Sequence, residues 1–339
     1  MKRVNMASNE NPFGPSPKAV EAMRAATGQA NFYPDDNATD LRLKLAERFA
    51  LKAEQVLVAA GSSELIYSLA RVLLAPGLNA VSSRLSFILY LMAVEASGGT
   101  LIEAPMRDNG FDLDAIAAAI NHHTRLVYLA NPNNPTGTMF DANALVRFLE
   151  QVPKSVVVAL DEAYCDFAGH FATERGVVYS RALDYVRAGR PNLVVLRTFS
   201  KAHGLAGLRI GYGMGTAELM AKLVGARPAF PVSSVAQAAA LAALEDEAHV
   251  RRAVENNAAG AEFLTQALAE LGFRVARTWA NFLYLELGTE AAPVAASLEE
   301  EGVLVRPLAL WGAPNAMRVT IGTPEQNELF VRALQKAMG

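Results

Sequence analysis

Short, largely apolar runs alternate with helix-length segments through the first two thirds of the chain. The runs cover residues 56–58, 80–81, 100–104, 126–130, 156–160 and 193–196. Helices are predicted between them over residues 65–74, 87–96, 112–120 and 141–152. Strands that are apolar throughout predict a parallel or mixed sheet covered on both faces by helices. Upstream, Ser16 followed by Pro17 starts a helix to about Ala26. Leu41, Leu45 and Phe49 mark another, after an Asn37/Thr39 start. Beyond about Pro231 the texture changes. A long Ala- and Glu-rich helical region (residues 234–270) gives way to short strands at residues 274–276, 282–286, 304–306 and 318–321, and a helix over residues 324–338. The expected fold is α/β, with a large domain over residues 32–232. Residues 1–31, an extended arm and the first helix, join residues 233–339 in a smaller α+β domain.

Composition narrows the function. The 31 Lys and Arg balance 34 Asp and Glu, and no long run carries one sign, which argues against nucleic acid or a membrane surface as partner. One cysteine, Cys165, and five scattered histidines build neither a disulfide framework nor a Cys-type zinc site, so no metal is expected. His122 and His123 are expected to point to opposite sides of a chain entering a strand. No stretch approaches the roughly 18 consecutive apolar residues of a membrane span. The N-terminus reaches Asn, Glu and Pro before an apolar signal region forms, so the reading is a cytoplasmic protein.

Ser62, Asn134, Asp161 and Lys201 fall at the carboxyl ends of predicted strands, where sites of such sheets collect. Asp161 ends VVVALD, and a carboxylate beyond apolar residues needs a partner. It reads as a helix cap or ion pair, or as the group that holds a protonated pyridine nitrogen and makes that ring an electron sink. Tyr164, three residues on, reads as a buried tyrosine or as a phenol donor to the same ring. NPNNPTG is a tight turn that projects the Asn134 amide. GSSE, between a strand and a helix, offers Ser62, Ser63 and free backbone N–H groups to a phosphate, or simply caps the helix. Thr198, Ser200 and Arg209 extend that anion site, Arg209 alternatively forming a surface ion pair. Lys201 reads as a solvated loop lysine, or as one desolvated enough to form a Schiff base.

TFSKAHGLAGLRIGYG, DEAY, NPNNPTG, the SNENP arm and YPD together resemble the fold-type I pyridoxal-phosphate aminotransferases, and more narrowly their histidinol-phosphate aminotransferase branch. That resemblance implies a homodimer with composite active sites and pyridoxal 5'-phosphate as cofactor. Lys201 then matches the Schiff-base lysine and proton shuttle, Asp161 the ring-nitrogen partner, and Asn134 and Tyr164 the donors to the ring hydroxyl. Phe87 stands where a ring-stacking tyrosine is usual, and Leu85 where a proline is common. Ser62, Ser63, Thr198, Ser200 and Arg209 match the phosphate cup, and Tyr33 a tyrosine that reaches the neighbouring subunit's cofactor. Arg306 and Arg318 match the pair that binds the substrate's anionic group, beside Asn134. The implied reaction converts histidinol phosphate and 2-oxoglutarate to imidazole-acetol phosphate and L-glutamate. Alternatives are an aromatic amino-acid aminotransferase, with Leu308 and Trp311 forming an apolar pocket, and a threonine-phosphate decarboxylase. A nicotinamide oxidoreductase would use GYGMG (residues 211–215) as a dinucleotide loop, but the third glycine of that fingerprint is missing. His203 is read as a packed side chain.

Overall fold

The computed structural model describes residues 3–338. Its centre is a seven-stranded sheet of β1 (Val56–Ala59), β2 (Asn79–Ser83), β3 (Thr100–Ala104), β4 (Thr124–Ala130), β5 (Val157–Asp161), β6 (Leu193–Thr198) and β7 (Gly211–Met214), in the order β1-β7-β6-β5-β4-β2-β3. All pairings are parallel except those of β7, which runs antiparallel to β1 and β6. Apart from the edge strand β3, which is partly exposed, the runs are buried on both faces because helices cover both. Within β4, Val127 and Leu129 enter one core while Leu126, Tyr128 and Ala130 enter the other, as the two-residue period of a strand requires.

The GYGMG run is the one that composition disguises. Its glycines suggest a turn, yet it forms the buried strand β7. A Cβ on Gly211 would lie 2.6 Å from the Ser62 amide nitrogen and 2.8 Å from the Arg197 carbonyl. Glycine is used there for close backbone approach. Since the run lies inside the sheet, it is not a dinucleotide loop at a strand end.

A second sheet holds β8 (Phe282–Glu286), β9 (Arg306–Leu308) and β10 (Ala313–Thr320), with β10 central and both neighbours antiparallel to it. Helices Glu247–Glu270, Ala291–Glu300 and Pro324–Met338 close its apolar core through Leu264, Leu298 and Phe330. The N-terminal arm joins this part, since Val4–Asn5 pairs with Val303–Leu304 in parallel.

Several expectations change. The helical region 234–270 is two helices, Ser234–Leu244 and Glu247–Glu270. The first sends Ala236, Ala239, Ala240 and Ala243 into the core of the large sheet, with Ala19 of helix Pro17–Thr27. Both helices thus pack against the core of the large sheet. Residues 274–276 make only a single bridge, Val275 to Leu285. His122 and His123 lie in a turn with ring centroids 3.8 Å apart, not on opposite sides, because no strand alternation operates there. Among the described residues no cluster of three His, Cys, Asp or Glu could hold a metal ion, and no helix is long and apolar enough to cross a membrane.

Candidate active site

The carboxyl ends of β1, β4, β5 and β6 open on one cavity of about 460 Å³. It brings together Ser62, Ser63, Phe87, Asn134, Asp161, Tyr164, Thr198, Ser200, Lys201, Arg209, Arg306 and Arg318. Of the residues matched to cofactor or substrate contacts, Tyr33 lies elsewhere. It is 84% exposed and stacks on Phe230 with centroids 4.8 Å apart, away from this chain's own cavity.

One end of the cavity is built for an anion. Ser62 and Ser63 open helix Ser62–Leu73, whose first amides are free. Arg209 Nη2 donates to Ser63 Oγ at 3.1 Å, and its Nη1 to the Ala206 carbonyl at 2.8 Å, which holds the guanidinium over that helix end. Gly61 makes this possible. It caps the helix at φ +82°, and a Cβ there would meet Arg209 Nη2 at 2.6 Å. Thr198 and Ser200 add a hydroxyl pair 2.9 Å apart.

At the other end Asp161 closes β5. Its Oδ1 accepts from the Ala163 amide at 3.1 Å and its Oδ2 from the Tyr90 hydroxyl at 3.0 Å. Burial pushes its carboxyl up to about 6, although both hydrogen bonds pull it down. Lys201 follows β6, and its Nζ donates to the Ser8 carbonyl at 3.0 Å. Burial, and then repulsion from Arg318, lower its amine to about 8. The Tyr164 hydroxyl accepts from Asn9 Nδ2 at 3.0 Å, so its own proton is left to point into the cavity. Tyr90, Ser8 and Asn9 were not identified as site residues beforehand. Asn9 lay within the SNENP string, but Tyr90 reads as one more apolar residue in a helix.

Arg306 and Arg318 stand directly opposite each other on β9 and β10. Like charges so placed repel, and neither has a carboxylate partner among the described residues. Arg318 is nearly buried. Its Nη1 donates to Asn134 Oδ1 at 2.5 Å and its Nη2 to the Ala7 carbonyl at 2.6 Å, while its Nε has no partner. Trp311 Nε1, on the same wall, is also buried and unpaired. Such orphaned donors and a facing pair of cations mark a site shaped for an anionic ligand.

Behind Asp161, the buried Glu162 accepts from Arg197 Nε at 3.0 Å and Nη2 at 2.7 Å, and from Ser180 Oγ at 2.6 Å. Glu162→Gln leaves the largely buried Arg197 charge uncompensated, at a cost of about 3–5 kcal/mol. Thermal unfolding followed by circular dichroism is expected to shift down by several degrees, and an unchanged midpoint would show the pair to be dispensable.

A lysine, an aspartate and an anion cup at the strand ends of this mixed sheet define a transaminase-type site. A family model, aminotransferase class I and II, matches residues 2–334, and the chain belongs to that family. Within it, the chain is 45% identical over 335 residues to histidinol-phosphate aminotransferase 2 of Pseudomonas fluorescens (strain Pf0-1), covering 99% of this chain and 89% of that protein. It is 46% identical over 335 residues to the enzyme of the same name from Pseudomonas aeruginosa, with the same coverage. The crystal structure of histidinol-phosphate aminotransferase from Sinorhizobium meliloti in complex with pyridoxal-5'-phosphate superimposes with a TM-score of 0.92 at 28% identity, covering 99% of this chain and 91% of that one.

Proposed function

We propose that this protein is a pyridoxal 5'-phosphate-dependent aminotransferase of histidine biosynthesis. It moves the amino group of histidinol phosphate to 2-oxoglutarate, giving imidazole-acetol phosphate and L-glutamate. The observation that carries the substrate is the Arg306–Arg318 pair, two arginines without carboxylate partners among the described residues, at directly opposed register positions and lining one cavity. A phosphate dianion relieves their repulsion better than a single carboxylate does.

The residues fit the cofactor. Ser62, Ser63, Thr198, Ser200 and Arg209 take its phosphate, at the helix terminus that Gly61 leaves uncrowded. Asp161 would hold the ring nitrogen, and Phe87, which lines the cavity, would contact the ring. Tyr164 and the amide hydrogens of Asn134, whose Oδ1 is occupied by Arg318, donate to the ring hydroxyl. Bound there, pyridoxal phosphate supplies an electron sink for charge developing at the substrate carbon. Lys201 would take up and return the proton of that substrate carbon, a role that suits an amine brought down to about 8. The functional unit is a cytoplasmic homodimer. Phe32, Tyr33 and Phe230 are exposed aromatics, and Tyr33 is assigned to the neighbouring subunit's cofactor phosphate.

An aromatic amino-acid aminotransferase is the second reading, favoured by Trp311 on the cavity wall. Protein loaded with pyridoxal phosphate is titrated with histidinol phosphate and, separately, L-phenylalanine, while its visible absorption is followed. Histidinol phosphate is expected to convert the band with at least ~100-fold higher efficiency, since a site built for a charged group rejects ligands lacking it. Equal conversion by phenylalanine would move the assignment to the aromatic enzyme.

A further inference from the structure

The geometry points to a further positioning residue, Tyr90, which fixes the plane of the Asp161 carboxylate and keeps it an anion toward the cofactor ring nitrogen. This rests on the reading of Asp161 as the partner of that nitrogen.

Tyr90 sits in the first turn of helix Leu89–Ala96 and is 1% exposed. Its ring lies flat on Tyr128 of β4, with centroids 4.6 Å apart and planes 4° from parallel. The edge of Phe87 packs against it at 5.7 Å and 89°. Tyr128 is itself pinned, because its hydroxyl donates to the Ile66 carbonyl at 2.6 Å. A ring held on two sides leaves its hydroxyl one position, 3.0 Å from Asp161 Oδ2. The Ala163 amide holds Oδ1. With one donor on each oxygen the carboxylate cannot rotate, and each oxygen keeps acceptor capacity for a ligand in the cavity.

The protonation state follows from the same contact. The titratable groups facing Asp161 are Tyr90, Glu162 next in the chain, Lys201 beyond β6, and Tyr164 and Tyr179. Burial raises the Asp161 carboxyl to about 6, and the Tyr90 hydrogen bond is the strongest influence holding it down. Tyr90 is a dependable donor, because burial and the nearby Asp161 charge push its own ionisation far above the ordinary tyrosine range. Without the hydroxyl, a larger share of Asp161 is neutral near pH 7 and unable to hold a protonated nitrogen.

The test is the affinity of the apoprotein for pyridoxal phosphate, titrated by absorbance in wild type, Y90F, Y128F, D161N and the Y90F/D161N double variant. Y90F keeps the ring and loses one charge-assisted hydrogen bond, so its Kd is expected to rise roughly tenfold. Y128F disturbs the same stack but leaves Tyr90 on Asp161, and its Kd is expected to match wild type. In the D161N background, adding Y90F is expected to change nothing, since the interaction it removes is already gone. Equal affinities of Y90F and wild type would overturn the role, as would equal losses in Y90F and Y128F, which mark mere packing. If Y90F does not fold, 3-fluorotyrosine at position 90 gives a stronger donor of nearly the same size, and binding weaker than wild type would count against the role. Failure of the wild-type protein to take up pyridoxal phosphate would instead bring down the cofactor reading, and Tyr90 with it.

Discussion

Replacing Lys201 by alanine is expected to lower the turnover of histidinol phosphate with 2-oxoglutarate roughly ten-thousandfold while leaving the fold intact. Lys201 lies three residues beyond Thr198, where β6 ends, and Nζ is 5.7 Å from the centroid of the Tyr164 ring. No neighbour replaces it. The Tyr164 hydroxyl is pushed upward by burial and holds its proton, and Asp161 is engaged by Tyr90 and Ala163. His203, two residues on, packs edge-on against Phe199 and lines a different cavity with Arg48 and Asp166. Its reading as a packed side chain agrees with that position. Activity of Lys201→Ala within about tenfold of wild type would remove Lys201 from the proposed mechanism. A second consequence concerns pH. The reactive form of Lys201 is the free amine, and burial with Arg318 repulsion brings it to about 8. Uptake of pyridoxal phosphate by the wild-type apoprotein should therefore accelerate as pH rises through about 8, and a pH-independent rate in stopped-flow mixing would contradict this.

Much of the large sheet was legible because burial on both faces leaves a simple trace in sequence, a short run with no polar interruption. Asp161 and Lys201 were legible for a related reason: each is a charged residue just past such a run, where the chain leaves the core. What escaped was decided by neighbours distant in sequence. The strand β7 is half glycine, and its conformation is set by the backbones of β1 and β6 on either side, not by any preference of its own. Helix Ser234–Leu244 is almost wholly apolar with no marked face, so nothing local says which sheet it covers. Its alanines fit the large core, where helix Pro17–Thr27 comes close.

The candidate site divides in the same way. Residues within continuous strings, such as Asn134 and Arg209, were found from the strings. Tyr90 was missed because a tyrosine inside SFILYLM differs from its apolar neighbours by a single oxygen, and only the tertiary fold turns that oxygen toward Asp161. The pairing of Arg306 with Arg318 depends on strand register, and the pairing shifts between Pro307 and Leu308, a break that alternation along either strand does not announce. The two arginines and their shared anionic target were visible, but their directly opposed register was not.

That opposed pair leads to the other large effect. Arg318→Leu is expected to lower kcat/KM for histidinol phosphate roughly a thousandfold, mainly by raising KM, because two charge-assisted hydrogen bonds to an anion are lost at about 1.5–3 kcal/mol each. Arg318 also orders the cavity through Asn134 and the Ala7 carbonyl, so the variant Arg318→Lys separates charge from shape. Lysine keeps the positive charge and loses the planar fork, and it should fall between wild type and leucine. Steady-state kinetics with saturating 2-oxoglutarate provide the measurement, and a KM for histidinol phosphate unchanged in Arg318→Leu would remove Arg318 from the phosphate site. Lys201 offers an internal check on the same protein. Arg318 is the largest charge lowering the Lys201 amine, so its removal raises that amine and moves the pH dependence of pyridoxal phosphate uptake upward. Arg318→Lys keeps the charge and should leave it nearly in place. A shift in the leucine variant alone would show that one guanidinium both binds the substrate's anion and tunes the lysine that handles its proton.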